Sequence, residues 1–381
     1  MNKKLLIIMY DDLNSLINKG EIVKRYYNPC NYFEEIHFLL INQKKIKKKF
    51  LLRLVGNSKL FLHYININNF EKFLCLFNLF FISSRLKKKI NNIVKINPSI
   101  VRCYNLNYQI FLAEYLKKIH KIPYVISIHF DLQNHILKWS RAKKLLFNFF
   151  KIRLNNILRN SDVLLPVYIS ATRYLKKNNI YNYKILYNFI NFFPCKKKKS
   201  KDKNFHLVCV NRQYRDKNPI NIIKAINKIP QTKLTLIGNG NLHKYLKKFV
   251  KNKKLSQRVF FVKKINNEKY LKNLLIYDAF ISNNYANEFS KGMIEAISHG
   301  LPIIVNKQNY KIKELNKKIS LENNDTPEGY KRSILKLIKN KNLYKELSKN
   351  SKNLYLKKYD TLKAEIKFKK IYEKLLAINK F

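Results

Sequence analysis

The chain has 381 residues, enough for two domains of about 150–200 residues each. Hydrophobic residues make up 46% of it, which excludes a disordered chain and favours globular domains. There are 78 lysine and arginine residues against 23 acidic residues, a formal net charge of +55, so the surface must be strongly basic.

Short apolar runs alternate with helical patterns in the first half of the chain. This alternation predicts a parallel sheet with helices between its strands. The patterns at 107–120 and 141–160 predict two of these helices. The predicted strands are the apolar runs at 5–9, 35–41, 60–65, 100–105, 124–130 and 162–167. The polar, lysine-rich stretch 195–204 predicts a linker, beyond which a second sheet begins with the run 205–210.

The second half repeats the alternation. The run LTLIGNGNL, 234–242, predicts a strand, a tight turn and then a helix from about 241 to 253. In the segment 281–305 a strand end, a loop, a short helix and a buried strand follow one another, with Ser290 capping the helix and Gly300 ending it. The chain then becomes helical, and the predicted helices are 326–338, 342–357 and 361–377.

Three features of the second half suit a bound phosphate and sugar. Arg212 and Lys217 follow a strand with four residues between them, and two cations on such a loop can bind an anion. Gly238 and Gly240 allow the chain to turn tightly and to approach a phosphate or sugar closely. Glu295 lies in the middle of the short helix, whose amino terminus opens at a strand-end loop, a place where α/β proteins hold anions and sugars.

Taken in order, these segments resemble glycosyltransferase family 4, the retaining, nucleotide-sugar-dependent enzymes that include those of bacterial cell-surface polysaccharide and lipopolysaccharide synthesis. The resemblance implies an α/β fold of the GT-B type, with two Rossmann-like domains facing a cleft and a C-terminal helix that crosses back to the first domain. The implied boundaries are 1–194 for the acceptor domain, 195–204 for the linker, 205–360 for the donor-nucleotide domain and 361–381 for the terminal helix.

The resemblance assigns roles in donor binding and also shows one departure. Arg212 and Lys217 match the basic pair that holds the donor diphosphate, and Glu295 matches the second of two family glutamates, expected to accept hydrogen bonds from the ribose hydroxyls. Asn287 occupies the position of the first glutamate, and Glu288 stands where the family has glycine. Either Asn287 binds a sugar hydroxyl as a neutral amide, or Glu288 reaches back to do so. The resemblance also places three neighbouring residues in the donor site, Phe289, Ser290 and Lys291.

The first domain supplies three further candidates. Gly20 matches a glycine-containing loop near the donor phosphates, although it could also simply end a helix. His129 lies at the end of a predicted strand and matches the family's histidine near the transferred sugar, with Asp131 expected to orient it. Asn188 matches a characteristic asparagine, and it could either line the site or cap the backbone.

These assignments predict transfer of a sugar from a nucleotide-diphosphate sugar to a glycan or lipid-linked acceptor, with retention of the anomeric configuration. No metal or other cofactor is expected, because Arg212 and Lys217 supply positive charge and Asp11–Asp12 lacks a metal-binding DxD pattern. Two alternatives stay open. One is a basic nucleic-acid-binding protein, for which the sequence has no helix-turn-helix, zinc-finger or RNP signature. The other is an inactive family member, because Asn287 replaces a glutamate.

The predicted location is the cytoplasm or the inner face of the cytoplasmic membrane. The five cysteines are scattered, as in proteins of reducing compartments, and the first apolar run is too short for a signal peptide. The segment Trp139–Arg159 mixes basic, aromatic and aliphatic residues, and the clusters 44–53 and 85–89 add positive charge. Such a surface predicts attraction to anionic lipid, unless the aromatic residues belong to the core and the lysines are merely solvated.

Overall fold

The computed structural model describes residues 3–77, 83–193, 204–285, 288–307 and 310–378. Most of the predicted linker, 195–203, therefore lies outside the described residues. The chain divides into two units: the first comprises Met1–Asn18, Ile22–Phe189 and Thr361–Phe381, and the second comprises Lys19–Glu21 and Ile190–Asp360.

The described residues of the first unit contain a parallel sheet of six strands in the order β3-β2-β1-β4-β5-β6. Its strands are β1 (Lys4–Met9), β2 (Glu35–Ile41), β3 (Lys59–Ile65), β4 (Ile100–Tyr104), β5 (Tyr124–Ile128) and β6 (Val163–Pro166). All six predicted strands are confirmed to within two residues at either end. The central strands read as near-continuous apolar runs, because helices cover both faces of a parallel sheet; every residue of β1 after Lys4 is buried.

Helices connect these strands. They are α1 (Leu13–Asn18), α2 (Leu52–Val55), α3 (Asn69–Leu76), α4 (Ser84–Val94), α5 (Gln109–His120), α6 (Leu132–Leu137), α7 (Arg141–Asn160) and α8 (Arg173–Lys177). The predicted helices 107–120 and 141–160 correspond to α5 and α7. Side-chain oxygens of Asn68, Ser83 and Ser140 cap α3, α4 and α7, which explains where these helices begin.

The second unit repeats the architecture, with a six-stranded parallel sheet among its described residues in the order β12-β11-β10-β7-β8-β9. Its strands are β7 (Phe205–Val210), β8 (Thr232–Ile237), β9 (Val259–Val262), β10 (Ala279–Ser282), β11 (Ile303–Asn306) and β12 (Ser320–Asn323). Its helices are α9 (Ile220–Asn227), α10 (His243–Asn252), α11 (Asn267–Lys272), α12 (Lys291–Ser298), α13 (Pro327–Lys339) and α14 (Lys341–Leu354).

The last helix, α15 (Thr361–Ile378), belongs to the first unit, as predicted. Its Phe368 and Tyr372 are buried in that unit's core. Arg102 of β4 is 1% exposed; it donates a hydrogen bond to the Tyr372 hydroxyl at 2.9 Å and lies over the Phe368 ring. Glu365 accepts a hydrogen bond from Arg25 at 3.1 Å. Apolar burial and these charged contacts together hold the helix on the sheet.

Each sheet has a point at which the strand order reverses, between β1 and β4 in the first unit and between β7 and β10 in the second. Ligands of open α/β sheets bind beside the carboxyl ends of the strands at this switch point. A ligand site of the second unit is therefore expected at the loops that follow β7 and β10. Among the helices of the described segments, none combines the length and apolar character needed to cross a bilayer.

Candidate functional site

The loops after β7 and β10 are bound to each other at the switch point of the second unit. The Asn211 side chain donates to Ser282 Oγ at 2.9 Å and to the Asn283 carbonyl at 3.1 Å. The Tyr285 backbone amide donates to the Asp216 carbonyl at 3.1 Å. These bonds join Asn211 and Asp216, which follow β7, to Asn283 and Tyr285, which follow β10.

The predicted basic pair lies on the loop after β7. Arg212 is exposed two residues beyond the strand. Lys217 Nζ lies 3.0 Å from Glu288 Oε2 on the loop after β10, and each side chain is 21% exposed. The structure thus pairs Glu288 with Lys217, across the switch point. Asn287, the other candidate at this position, lies outside the described residues.

The glycine turn after β8 packs against the loop after β7. Gly238 has a φ of +135°, and a Cβ placed there would lie 2.1 Å from the Asn211 carbonyl oxygen. A Cβ on Gly240 would lie 2.4 Å from the Gln213 carbonyl oxygen. The close approach that demands these glycines is to the chain's own backbone, whereas the sequence suggested a phosphate or a sugar; contact with a donor stays a prediction.

The start of α12 is built as predicted around Ser290. Its Oγ accepts a hydrogen bond from the Met293 amide at 3.3 Å, so this hydroxyl caps the helix. Phe289 is 3% exposed and packs against Tyr359, with ring centroids 5.3 Å apart, which makes it a core residue beside the site. Lys291 Nζ lies 3.5 Å from Glu21 and 3.9 Å from Glu295.

Glu295 is a buried carboxylate in the middle of α12. It is 3% exposed, and its Oε1 accepts a hydrogen bond from Asn267 Nδ2 at 2.7 Å. Burial raises the pKa of this carboxyl group, while Lys291 and the Asn267 hydrogen bond lower it. Sequence analysis missed Asn267. Its position in the first turn of α11, after the carboxyl end of β9, was the available signal.

Gly20 has the left-handed conformation that ends a helix, with a φ of +65° two residues after α1. It also approaches α11, because a Cβ there would lie 2.5 Å from Asn266 Nδ2. The Asn267 amide donates to the Lys19 carbonyl at 3.3 Å. Residues Lys19–Glu21 thus belong to the second unit by their contacts, although the chain before and after them belongs to the first.

A second polar cluster lies in the first unit, around His129. The Tyr26 hydroxyl donates to Asn188 Oδ1 at 3.0 Å, which turns the Asn188 amide nitrogen toward His129 Nδ1, 3.5 Å away. Burial and the Arg102 charge lower the pKa of His129 to about 3, so the imidazole is neutral at physiological pH. The other ring nitrogen, Nε2, is buried and has no hydrogen-bond partner among the described residues.

The prediction that Asp131 orients His129 is wrong. Asp131 instead caps α6 by accepting from the Asn134 amide at 3.1 Å, and its other oxygen accepts from Arg173 at 2.8 Å. The His129 amide is held by Asn105, which also donates to Asp11 Oδ2 at 2.8 Å. Asn105 follows β4 and Asp11 follows β1, so a pattern of polar residues after neighbouring strands could have identified this cluster.

Metal ligands are not grouped in the described segments, where no set of three or more His, Cys, Asp or Glu side chains could hold an ion. The charged groups of the second unit's site are instead Arg212, Lys217, Glu288, Lys291 and Glu295. A site of this kind can bind an anion with its cations and hydroxyl groups with its carboxylates.

Comparison with known proteins finds relatives in sequence and in fold. Residues 193–354 match the family model described as glycosyl transferases group 1. An uncharacterized glycosyltransferase of Methanocaldococcus jannaschii is 31% identical over 191 residues, 48% of this chain and 48% of that relative. The match therefore spans about half the length of that curated relative.

Two solved structures share the fold over almost the whole chain. HepE of Anabaena, solved in complex with UDP, is 13% identical, has a TM-score of 0.73 and covers 98% of this chain and 100% of its own. Sucrose-phosphate synthase of Thermosynechococcus elongatus is 12% identical, has a TM-score of 0.71 and covers 99% of this chain and 100% of its own. Over residues 193–354 this chain is therefore similar in sequence to the group 1 glycosyl transferases, and its two parallel sheets have the GT-B fold.

Proposed function

We propose that this chain transfers a sugar from a nucleotide-diphosphate sugar to a glycan or lipid-linked acceptor, with retention of the anomeric configuration. One observation carries the proposal. Arg212 and Lys217 lie on the loop after β7, and Glu295 lies in the helix that follows β10, the two strands between which the strand order of the second unit reverses. That unit also contains the segment that matches group 1 glycosyl transferases.

Arg212 and Lys217 would bind the diphosphate. Negative charge accumulates on this group as the sugar leaves, so cations placed beside it lower the barrier. A guanidinium can hold two phosphate oxygens at once, and an ammonium acts as a compact point charge. Because these two side chains supply the charge that a metal would otherwise supply, we propose a metal-independent reaction.

The donor must compete with Glu288 for Lys217. The two side chains lie 3.0 Å apart, and a diphosphate that reached Lys217 would displace the carboxylate. The displaced Glu288 would then be near the sugar end of the donor, where the family resemblance expects a carboxylate. This exchange gives Glu288 a role that would be missing if glycine occupied its position.

Glu295 would bind the ribose. A carboxylate can accept about four hydrogen bonds, and Asn267 uses one of these positions. Burial strengthens a hydrogen bond from a ribose hydroxyl, because water competes poorly at a site that is 3% exposed.

The polar cluster of the first unit suits a sugar hydroxyl. Neutral His129 can donate from Nε2 without introducing charge, and Asn188 fixes its orientation. We propose that the acceptors are precursors of cell-surface polysaccharide or lipopolysaccharide, and that the protein works in the cytoplasm or at the inner face of the cytoplasmic membrane.

A panel of nucleotide sugars tests the proposal, beginning with UDP-sugars because HepE was solved with UDP. Release of nucleoside diphosphate should be detectable with at least one donor, with and without chelator, and Arg212→Ala and Lys217→Ala should each lower turnover by about a hundredfold. Arg215→Ala is the matched control, because Arg215 is an exposed arginine on the same loop, and its turnover should not change.

Equal turnover in all three variants would refute the assigned diphosphate site. A strict requirement for a divalent metal would refute the metal-independent reaction. If no donor in the panel is consumed, the chain is an inactive relative. The anomeric configuration of the product, measured by NMR, decides between retention and inversion.

A further inference from the structure

The outward face of α7 is apolar. Leu145, Phe149 and Ile152 are 63%, 82% and 73% exposed, and their spacing places them on one side of the helix. The opposite side supplies the buried residues Ile157 and Leu158. A surface helix of a globular domain normally turns its polar side outward, so α7 departs from the usual pattern. The alternative that its aromatic residues all belong to the core is therefore wrong for Phe149.

The apolar face continues onto α3. Phe70 and Phe73 of α3, and Phe77 directly after its end, are 60%, 53% and 49% exposed. The rings of Phe73 and Phe77 lie 5.0 Å apart, and Phe77 contacts Phe150 of α7 with centroids 6.0 Å apart. The two helices thus form one surface, which we name the α3–α7 apolar surface; it consists of Phe70, Phe73, Phe77, Leu145, Leu146, Phe149 and Ile152. Contiguous exposed patches of this kind mark interaction sites.

Positive charge borders this surface. The sequence of α7 contains six lysine or arginine residues and no acidic residue. That of α4 contains one arginine and three lysines, again with no acidic residue. Arg85 and Lys89 of α4 lie 3.7 and 3.6 Å from Glu71 of α3, which brings the basic end of α4 against α3. The neighbouring Lys87 and Lys88 are exposed.

We propose that the α3–α7 apolar surface docks the protein on an anionic lipid bilayer. Its aromatic and aliphatic side chains would enter the boundary between headgroups and acyl chains, while the bordering lysines and arginines contact lipid phosphates. The positive charge that borders the surface favours anionic lipid over the other candidate partners. A second copy of the chain would bring another basic border against the first, and like charges oppose that contact. Nucleic acid would be drawn to the charge but would leave the exposed phenylalanines and leucines without a role.

A membrane site would serve the proposed function by bringing the enzyme to a lipid-linked acceptor. Only this benefit to the enzyme, and not lipid binding itself, rests on the proposed function. Lipid binding is measured without donor or acceptor, so failure of the lipid proposal and failure of the transferase proposal are separate results.

Co-sedimentation of the full chain with vesicles tests the proposal. We expect binding to vesicles of phosphatidylcholine mixed with phosphatidylglycerol, weak binding to phosphatidylcholine alone, and partial loss at high salt. Phe149→Glu and Leu145→Glu should each weaken binding by about tenfold or more, because a carboxylate then faces the lipid. Gln substituted for Arg85, Lys87 and Lys88 together should weaken binding and reduce its dependence on lipid charge.

Leu362→Glu is the matched control. Leu362 lies on α15 of the same unit and is 62% exposed, close to the 63% of Leu145, so its substitution changes charge and hydrophobicity equally. It should bind vesicles like the unchanged protein. Three results would overturn the proposal: equal loss in the control, binding that ignores lipid charge, or a dimer without lipid that Phe149→Glu dissociates. Circular dichroism and thermal unfolding of each variant exclude loss of folding as the cause.

Discussion

The Lys217–Glu288 ion pair lies at the predicted diphosphate-binding site. The resemblance expects glycine where this chain has Glu288, and the Glu288 side chain reaches the predicted diphosphate-binding Lys217. An ion pair in this position competes with an anionic ligand. The pair is about one-fifth exposed on each side, so it contributes about 1 kcal/mol at most.

Replacing Glu288 with glutamine should therefore strengthen binding of a nucleoside diphosphate by about threefold to tenfold, the equivalent of about 1 kcal/mol. The measurement is calorimetric titration of the wild type and the variant. Glu328→Gln is the control, since Glu328 forms an exposed ion pair with Lys228 elsewhere in the same unit. Unchanged or weaker affinity in Glu288→Gln would show that the carboxylate does not compete with the diphosphate.

The sequence predicts which charged residues belong to the candidate site, but it does not predict the residues that they contact. Arg212, Lys217 and Glu295 are predicted site residues because each matches a position of the resembled family and stands at a fixed offset from a strand or a helix cap. The Asn267–Glu295 hydrogen bond joins residues 28 positions apart, so the sequence around either residue does not identify its partner. The error at Asp131 has the same origin, because Asp131 is adjacent to His129 in sequence but pairs with Arg173 on another helix.

At the scale of elements, the turn after β8 and the loop after β7 form one rigid layer. Gln213 is 2% exposed; its Nε2 donates to the Gly238 carbonyl at 3.1 Å, and its Oε1 lies 2.7 Å from His243 Nδ1. Gly240 lies directly against the Gln213 backbone. Arg212 thus lies on a loop whose backbone packs directly against the glycine turn.

The prediction at this scale concerns Gly240→Ala. Its Cβ would lie 2.4 Å from a backbone oxygen, so the loop must shift, and we expect a loss of about 1–3 kcal/mol in the free energy of unfolding. Nucleoside diphosphate affinity should fall with it, because Arg212 moves. Thermal unfolding and calorimetry measure the two effects.

Gly292→Ala provides the comparison. Gly292 lies within α12, and a Cβ there meets its neighbours at 3.4 Å, an ordinary contact. Alanine is favoured over glycine in a helix by about 0.5–1 kcal/mol, so this variant should be as stable as the wild type or more stable. If Gly240→Ala also left stability and affinity unchanged, the support given by the glycine turn would be disproved.

The elements themselves were largely predictable. The six strands of the first unit and the helices α5, α7 and α15 follow from apolar periodicity and caps, since parallel strands are buried on both faces. The contacts of one short segment with the other unit were harder to predict. Residues Lys19–Glu21 contact the second unit, although Glu21 precedes Asn267 of that unit by 246 residues in sequence. No change in composition marks this short segment.

At the scale of the whole molecule, the net charge of +55 has to be reconciled with a specific site. A basic surface attracts any polyanion, and such binding falls steeply with salt. A shaped site with a buried carboxylate would behave differently, because Glu295 in its proposed role would accept hydrogen bonds from ribose hydroxyls and repel other anions. Salt dependence and the identity of the nucleotide therefore separate the two modes of binding.

The most direct test of the central claim is calorimetric titration of nucleoside diphosphates against the wild type and Glu295→Gln. We predict that one nucleotide is preferred, that its affinity persists at moderate salt, and that Glu295→Gln weakens it by about 1–3 kcal/mol, the contribution of hydrogen bonds to a charged group. Equal affinity in Glu295→Gln, or binding of every nucleotide alike that disappears as salt rises, would contradict a donor-nucleotide site in the second unit.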